Sequence, residues 1–297
     1  MGILDQRGGL SGRNAVIIGG AGGIGKAVTM ALALSEVDVA LCDIDAAALA
    51  STKAEVVALG RRAVAAVADA TDSGALQHFY QLAGEAFSHI DILVNVVGGV
   101  LMQPFMEKTP DACAHDIQRN YGYVLDSTRL AVPLLRKSGR GGCIINFTTI
   151  EAHRGAGGFA VYAGAKAATT NFSKAMAWEL GPERIRVNVI APDTTPSEGN
   201  RNALPPRHRA LNESVPAEWW TKAMEMYIPL GTPASTEDLA NAVLFLASDL
   251  AKSITGQVIH VDGGTAAALG MLRWPFDGDV TLPVPSGGTL TRLFGPK

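Results

Sequence analysis

The chain of 297 residues reads as an α/β protein, a doubly wound parallel sheet of about seven strands with helices on both faces. Three observations predict this fold. Short apolar runs alternate with longer stretches of helical periodicity, the signature of repeated βαβ units. A glycine-rich loop stands where the first run hands over to the first helical stretch. The composition, 47% hydrophobic and 18% charged, supplies enough apolar side chains to bury both faces of a sheet.

The elements follow in order. Ala15–Ile18 is β-rich and runs straight into glycines, after which Ile24–Leu34 is helical. Val37–Cys42 forms the second strand and Ala46–Leu59 the second helix. Ala63–Val67 leads into Gly74–Phe87, and Ile92–Val97 leads into one long helix over Asp111–Leu135. Cys143–Phe147 precedes a helix over Ala163–Leu180. Ile185–Ile190 is the sixth strand, and Thr236–Ala247 the helix before the last strand, Val258–Val261. Right-handed crossovers place such helices on both faces of the sheet. Residues 1–264 therefore read as one domain, interrupted by a lid over about 194–230 and followed by a Pro- and Gly-rich extension, 265–297.

Charge and cysteine usage narrow the function. With 25 Lys+Arg against 28 Asp+Glu, the net charge is −3 and no basic run exists, which argues against a nucleic-acid partner held by phosphate contacts. No apolar stretch approaches eighteen residues, so no membrane span is expected. The first residues lack a signal-peptide layout, and three scattered cysteines (Cys42, Cys113, Cys143) suit a reducing compartment. The expectation is a cytoplasmic protein. No His/Cys/carboxylate set has metal-ligand spacing, so no catalytic metal is expected.

The glycine loop, Gly19-Gly20-Ala21-Gly22-Gly23-Ile24-Gly25, contains Gly20-x-Gly22-x-x-Gly25. Glycines are needed where a tight turn must let a pyrophosphate approach the backbone at a helix N-terminus. A plain strand–helix turn or a methyltransferase loop can look similar. Asp43, at the end of the second strand, stands where a carboxylate would accept hydrogen bonds from a ribose diol and repel a 2′-phosphate. That favours NAD over NADP, although Asp43 could also be a cap for the following helix. Farther along, Tyr162 and Lys166 are four apart, which puts both on one helix face. A tyrosine phenol titrates near 10, and a fixed cation beside it favours the phenolate, the form that takes a proton from an alcohol.

Taken in order, these motifs resemble the short-chain dehydrogenase/reductase family from about Gly12 to Gly264. Its TGxxxGxG element appears as Ile18-Gly19-x-x-x-Gly23-x-Gly25, and its adenine-side acids as Asp69-Ala70-Thr71-Asp72. The Asn-Asn-Ala-Gly element appears as Asn95-Val96-Val97-Gly98. The tetrad falls on Asn120, Thr149, Tyr162 and Lys166, with Thr149 at the serine position. Arg186-Val-Asn188-Val-Ile-Ala-Pro192 matches the strand that runs to the nicotinamide, with Thr194 and Thr195 beyond it. Pro229-Leu-Gly, Phe245-Leu-Ala-Ser and Val261-Asp-Gly-Gly264 match the C-terminal third.

The resemblance implies a Rossmann-like fold and an NAD-dependent dehydrogenase of secondary alcohols. Tyr162 would be the acid/base, Lys166 would lower its pKa and hold the ribose, and Thr149 would orient the substrate oxygen. Asn120 would anchor a proton-relaying water. The cofactor would lie over Gly19, Gly22, Gly23, Ile24 and Gly25, with Asp43, Ile44, Asp69, Ala70, Asn95, Gly98, Pro192, Thr194 and Thr195 around it. An NADPH-dependent 3-oxoacyl or ketone reductase is the alternative, opposed by Asp43. A catalytically silent NAD-binding scaffold is another, opposed by the presence of both Tyr162 and Lys166.

The sequence departs from the family pattern at Val96 and Val97, which implies the loss of a polar link between the central strands. Glu151 and His153 stand near the substrate, and Trp219 and Trp220 in the lid suit a bulky alicyclic, aromatic or steroid-like alcohol. Surplus apolar residues on two long helices (Leu130, Val132, Phe172, Met176) point, with the family, to a homotetramer. The aromatics of the extension, Trp274 and Phe276 among them, predict a docked tail rather than a solvated one.

Overall fold

The computed structural model describes residues 7–197, 210, 215–268, 270–273 and 281–283. Its main sheet contains β1 (Asn14–Ile18), β2 (Asp38–Asp43), β3 (Ala63–Val67), β4 (Ile92–Asn95), β5 (Gly142–Phe147), β6 (Ile185–Pro192) and β7 (Val258–Val261). All neighbours are parallel, in the order β3-β2-β1-β4-β5-β6-β7. The order reverses between β1 and β4, and the loops leaving these two strands diverge there. In open α/β sheets this divergence opens a crevice at the carboxyl ends of the strands.

The helices are α1 (Gly23–Leu34), α2 (Ala46–Ala58), α3 (Ser73–Phe87), α4 (Pro110–Ile117), α5 (Tyr123–Lys137), α6 (Ala160–Leu180), α7 (Ala217–Tyr227) and α8 (Thr236–Ala247). Local chemistry starts several of them. Asp45 accepts from the Ala47 and Ala48 amides at α2, and Asp72 from Gly74 and Ala75 at α3. Thr109 caps α4 ahead of Pro110, and Ser235 with Asp238 forms a capping box at α8. Strand residues alternate between two cores. Val16, Ile18, Leu93 and Ile144 pack on α3, α5 and α6, while Ala15, Ile17, Leu41 and Ile145 pack on α1, α2 and α8.

The fold departs from the sequence expectations in two places. The helix expected over Asp111–Leu135 is two helices joined by a π-helical turn, Gln118–Gly122. The wide turn carries Asn120, fully buried, against the chain at Gly99. Strand β4 stops at Asn95 rather than Val97, because the Val97 carbonyl is taken by side chains, Tyr123 Oη at 2.8 Å and Lys166 Nζ at 3.3 Å. The apolar residues expected at a subunit contact also touch this chain's own core. Val132 is buried, and Leu130, Phe172 and Met176 pack against the same cluster. Trp178 on α6 is left outside, 85% exposed.

Within the lid region, α7 is described, and the stretches 198–209 and 211–214 lie outside the described residues. In the extension, α9 (Thr265–Ala268) is followed by β8 (Met271–Arg273), which pairs antiparallel with β9 (Thr281–Pro283). Strand β8 lies against α7. Trp274 and Phe276 lie outside the described residues. Among the described residues no helix is long and apolar enough to cross a membrane.

Candidate active site

The glycine loop connects β1 to α1 across the crevice. A Cβ on Gly25 would lie 1.7 Å from the Gly19 carbonyl oxygen, so only glycine lets the helix start fold back onto the strand end. Gly22, the N-cap, makes no side-chain cap, and a Cβ there would meet nothing within 4 Å. Gly22 thus gives the first amides of α1 no side-chain cap of its own, and a helix start of this kind can receive an anion. Asp43 ends β2 beside the loop. One carboxylate oxygen accepts from the Ala21 amide at 3.0 Å and the other from the Asp45 amide at 3.2 Å. Ile44, 70% exposed, and the exposed Val67 on β3, in register with Asp43, offer an apolar ledge next to it. Lys26, the loop's own cation, is paired with Glu55 at 2.8 Å.

The second half of the site is built on β5, α6 and the π turn. Thr149 follows β5, and Tyr162 and Lys166 lie on the first turns of α6, which begins at Ala160. Lys166 is buried and donates to the carbonyls of Phe147 at 3.0 Å and Val97 at 3.3 Å. Gly98 makes room for this. A Cβ there would lie 2.6 Å from Lys166 Nζ and 3.0 Å from Asn120 Oδ1. Burial, with the Arg119 guanidinium adding, pushes the Lys166 ammonium down to about 7. Burial likewise pushes the Tyr162 phenol up to about 12, against the Thr149 hydroxyl and Arg119. In the protein alone Lys166 is not among the groups that act on the Tyr162 phenol. The lysine's charge is spent on two backbone carbonyls, and desolvation of the phenolate outweighs the hydrogen bonding that favours it.

A parallel seven-stranded sheet with this loop and this Thr–Tyr–Lys grouping matches known proteins. A sequence model described as enoyl-(acyl carrier protein) reductase matches residues 19–266. The chain belongs to the short-chain dehydrogenase/reductase family. It is 31% identical over 259 residues to 7alpha-hydroxysteroid dehydrogenase of Escherichia coli, covering 86% of this chain and 94% of that protein. The structure of a 7alpha-hydroxysteroid dehydrogenase complexed with NADH and 7-oxo glycochenodeoxycholic acid superposes with a TM-score of 0.78 at 30% identity. That match covers 89% of this chain and 98% of that one. Carveol dehydrogenase from Mycobacterium avium, in complex with NAD, gives 0.81 at 27% identity over 88% and 99% of the two chains. As a short-chain dehydrogenase/reductase the protein is an oxidoreductase of alcohols and ketones.

The remaining expected site residues fall into place unevenly in this family member. Asn120 does not stand free for a relay. Its carboxamide accepts from the Gly99 amide at 3.0 Å and donates to the Gly99 and Asp116 carbonyls at 2.9 Å, while its own carbonyl accepts from Thr169 Oγ1. Asn95, fully buried, joins Asn146 on β5 at 2.8 Å, so a polar link between the central strands exists despite Val96 and Val97. Ser127 and Ser173 extend that chain on either side. Asp69 is held below the usual carboxylate range by hydrogen bonds from the Thr71 amide and hydroxyl, next to buried Ala70. Pro192 and Thr195 are buried at the end of β6, and Thr194 is exposed and bonded to Asp193.

His153 turns away to pack edge-on against His260, centroids 5.0 Å apart, and burial lowers its pKa. Trp219 points to solvent at 64% exposure and Trp220 is half-buried. Glu151 does reach the site, where it accepts from the Thr149 hydroxyl. Arg119 and Arg154 went unnoticed in the sequence. Arg119 is adjacent to Asn120, so the motif itself could have flagged it. Arg154 meets Tyr227 across 73 positions, for which no local signal exists.

Proposed function

We propose that the protein is an NAD-dependent oxidoreductase that interconverts a secondary alcohol and its ketone. The observation that carries this reading is the grouping of Thr149, Tyr162 and buried Lys166 at the carboxyl end of the sheet, which also holds the glycine loop and Asp43. The residues present fit NAD. The glycine start of α1 at Gly22 to Gly25 would take the pyrophosphate, Asp43 and the Ile44–Val67 ledge the adenosine, and Lys166 the nicotinamide ribose. A 2′-phosphate would face the Asp43 carboxylate with Lys26 already paired, which supports NAD over NADP. When bound, the cofactor supplies or receives the hydride.

The chain's own groups handle the proton. Tyr162, protonated at neutral pH with its phenol near 12, is set to give a proton to a ketone oxygen. In the opposite direction the phenolate, left once that proton has gone, takes one from an alcohol. Thr149 orients the substrate oxygen, and Asn120 holds the 98–99 loop against Lys166. Half-buried Met224, Met226 and Tyr227 on α7 give the substrate side apolar surface, to which the 271–273 strand adds cover. Together with the hydroxysteroid and carveol relatives, they favour a bulky alicyclic or steroid-like alcohol.

The test is a panel of secondary alcohols with NAD, followed by NADH absorbance. Tyr162→Phe should abolish turnover while NAD still binds, because only the proton-transfer group is lost. A variant keeping a tenth of wild-type activity would mean that another group is the base.

A further inference from the structure

A threonine hydroxyl has one hydrogen and two lone pairs. The Thr149 hydrogen goes to Glu151 Oε2, and the Glu151 amide approaches Thr149 Oγ1 at 3.4 Å. The same hydroxyl lies beside Tyr162. Its single hydrogen can serve the carboxylate or an oxygen over Tyr162, not both, so the placement of Glu151 decides which way the hydroxyl points.

Glu151 is itself held. Its second oxygen, Oε1, accepts from Arg154 Nη2 at 2.8 Å, and that nitrogen also donates to the Tyr227 hydroxyl at 2.8 Å. The guanidinium carbon lies 5.9 Å from the centre of the Tyr227 ring. Tyr227 is the last residue of α7, and its phenol stands near the Asp193 carboxylate at the end of β6. A chain of hydrogen bonds therefore runs from Thr149 through Glu151 and Arg154 to the helix on the substrate side. Glu151 and Arg154 could pair on the surface without touching Thr149. Here the pair is largely shielded, with side-chain exposures of 16% and 34%, and its inner end is the hydroxyl of the site.

We propose that Glu151 is a positioning residue for Thr149, and that Arg154 and Tyr227 make this positioning depend on the seat of α7. The proposal rests on the reading above, in which Thr149 meets the substrate oxygen. Substrate seated under α7 would then bear on the hydroxyl that its own oxygen must meet, tying recognition of the bulky part of the substrate to alignment of the reacting oxygen.

The full-length protein tests this with an alcohol found in the panel. Four variants are compared by kcat, KM, NAD dissociation constant and melting temperature: Glu151→Gln, Tyr227→Phe, the double variant, and Thr149→Ala. Glu151→Gln, nearly isosteric, should lower kcat by about tenfold or more, the size of a charge-assisted hydrogen bond, with NAD affinity unchanged. Tyr227→Phe should do the same to a lesser degree. The double variant should be no slower than Glu151→Gln alone, since both changes act through one chain. A double variant whose loss is the product of the single losses would overturn the proposal, as would wild-type kcat in Glu151→Gln. An active Thr149→Ala enzyme would overturn the underlying reading instead. An inactive one beside an unimpaired Glu151→Gln would overturn the positioning role only.

Discussion

Replacing Gly98 with alanine would put a Cβ 2.6 Å from Lys166 Nζ, 3.1 Å from its Cε and 3.0 Å from Asn120 Oδ1. Ordinary contact begins near 3.4 Å, so the ammonium must retreat by about 0.8 Å. Lys166 is buried and pinned by the Phe147 and Val97 carbonyls, so the retreat strains one of two bonds from a charged donor. Such a bond is worth about 1.5–3 kcal/mol. The end of a lysine can shift without moving backbone, so the fold loses less, and melting should fall by only a few degrees, at about 2–4 °C per kcal/mol. Catalysis has less tolerance. A displacement near 1 Å costs on the order of 10²-fold, and kcat should fall by about that factor. Steady-state kinetics at saturating NAD, with calorimetry for binding and melting, measure all three quantities. Gly22→Ala is the contrast. With extended backbone and no neighbour within 4 Å, it should melt like wild type and lose only NAD affinity. Wild-type kcat in Gly98→Ala would refute the claim that Lys166 must sit where it does.

Other outcomes follow from the same geometry. Lys166 has a folded-state pKa near 7 against an ordinary 10.5, so the cost of its buried charge is complete below about pH 7 and lifts as pH rises towards 10.5. Lys166→Met should therefore raise the melting temperature of the cofactor-free protein most at pH 6 and progressively less up to pH 10. A pH-independent change by scanning calorimetry would contradict this. Asp43→Ala should narrow the NAD/NADP ratio of kcat/KM by removing the charge that repels a 2′-phosphate, and should weaken binding of both cofactors, because the Ala21 amide loses its acceptor. Equal use of the two cofactors by the wild type would sink the assignment. For assembly, we expect a homotetramer with two-fold axes in which Trp178 is covered. Trp178→Glu should shift light scattering to smaller species, and a wild-type monomer at micromolar concentration would refute it.

Much of this protein is legible in its residues because the relevant signals are local. Runs such as Ala15–Ile18 and Cys143–Phe147 mark strands through their apolar character. The Gly25 contact with Gly19 follows from six positions of chain, and the four-residue spacing of Tyr162 and Lys166 is a property of any helix. Packing decided the rest. The π turn at Asn120 exists because a buried carboxamide must satisfy Gly99 and Asp116 at once, which no periodicity encodes. The apolar residues at Leu130, Phe172 and Met176 look like surplus in sequence and are partly buried against the core once the sheet lies beneath them. The Tyr162 phenol is pushed up by burial, and Lys166 donates to two carbonyls, neither of which the spacing of the two residues reveals. Tyr227 meets the Glu151–Arg154 pair only because α7 returns to the loop after β5. Periodicity and spacing are written along the chain, whereas desolvation and long-range hydrogen bonds depend on which distant segments pack together, and only the folded molecule brings those together.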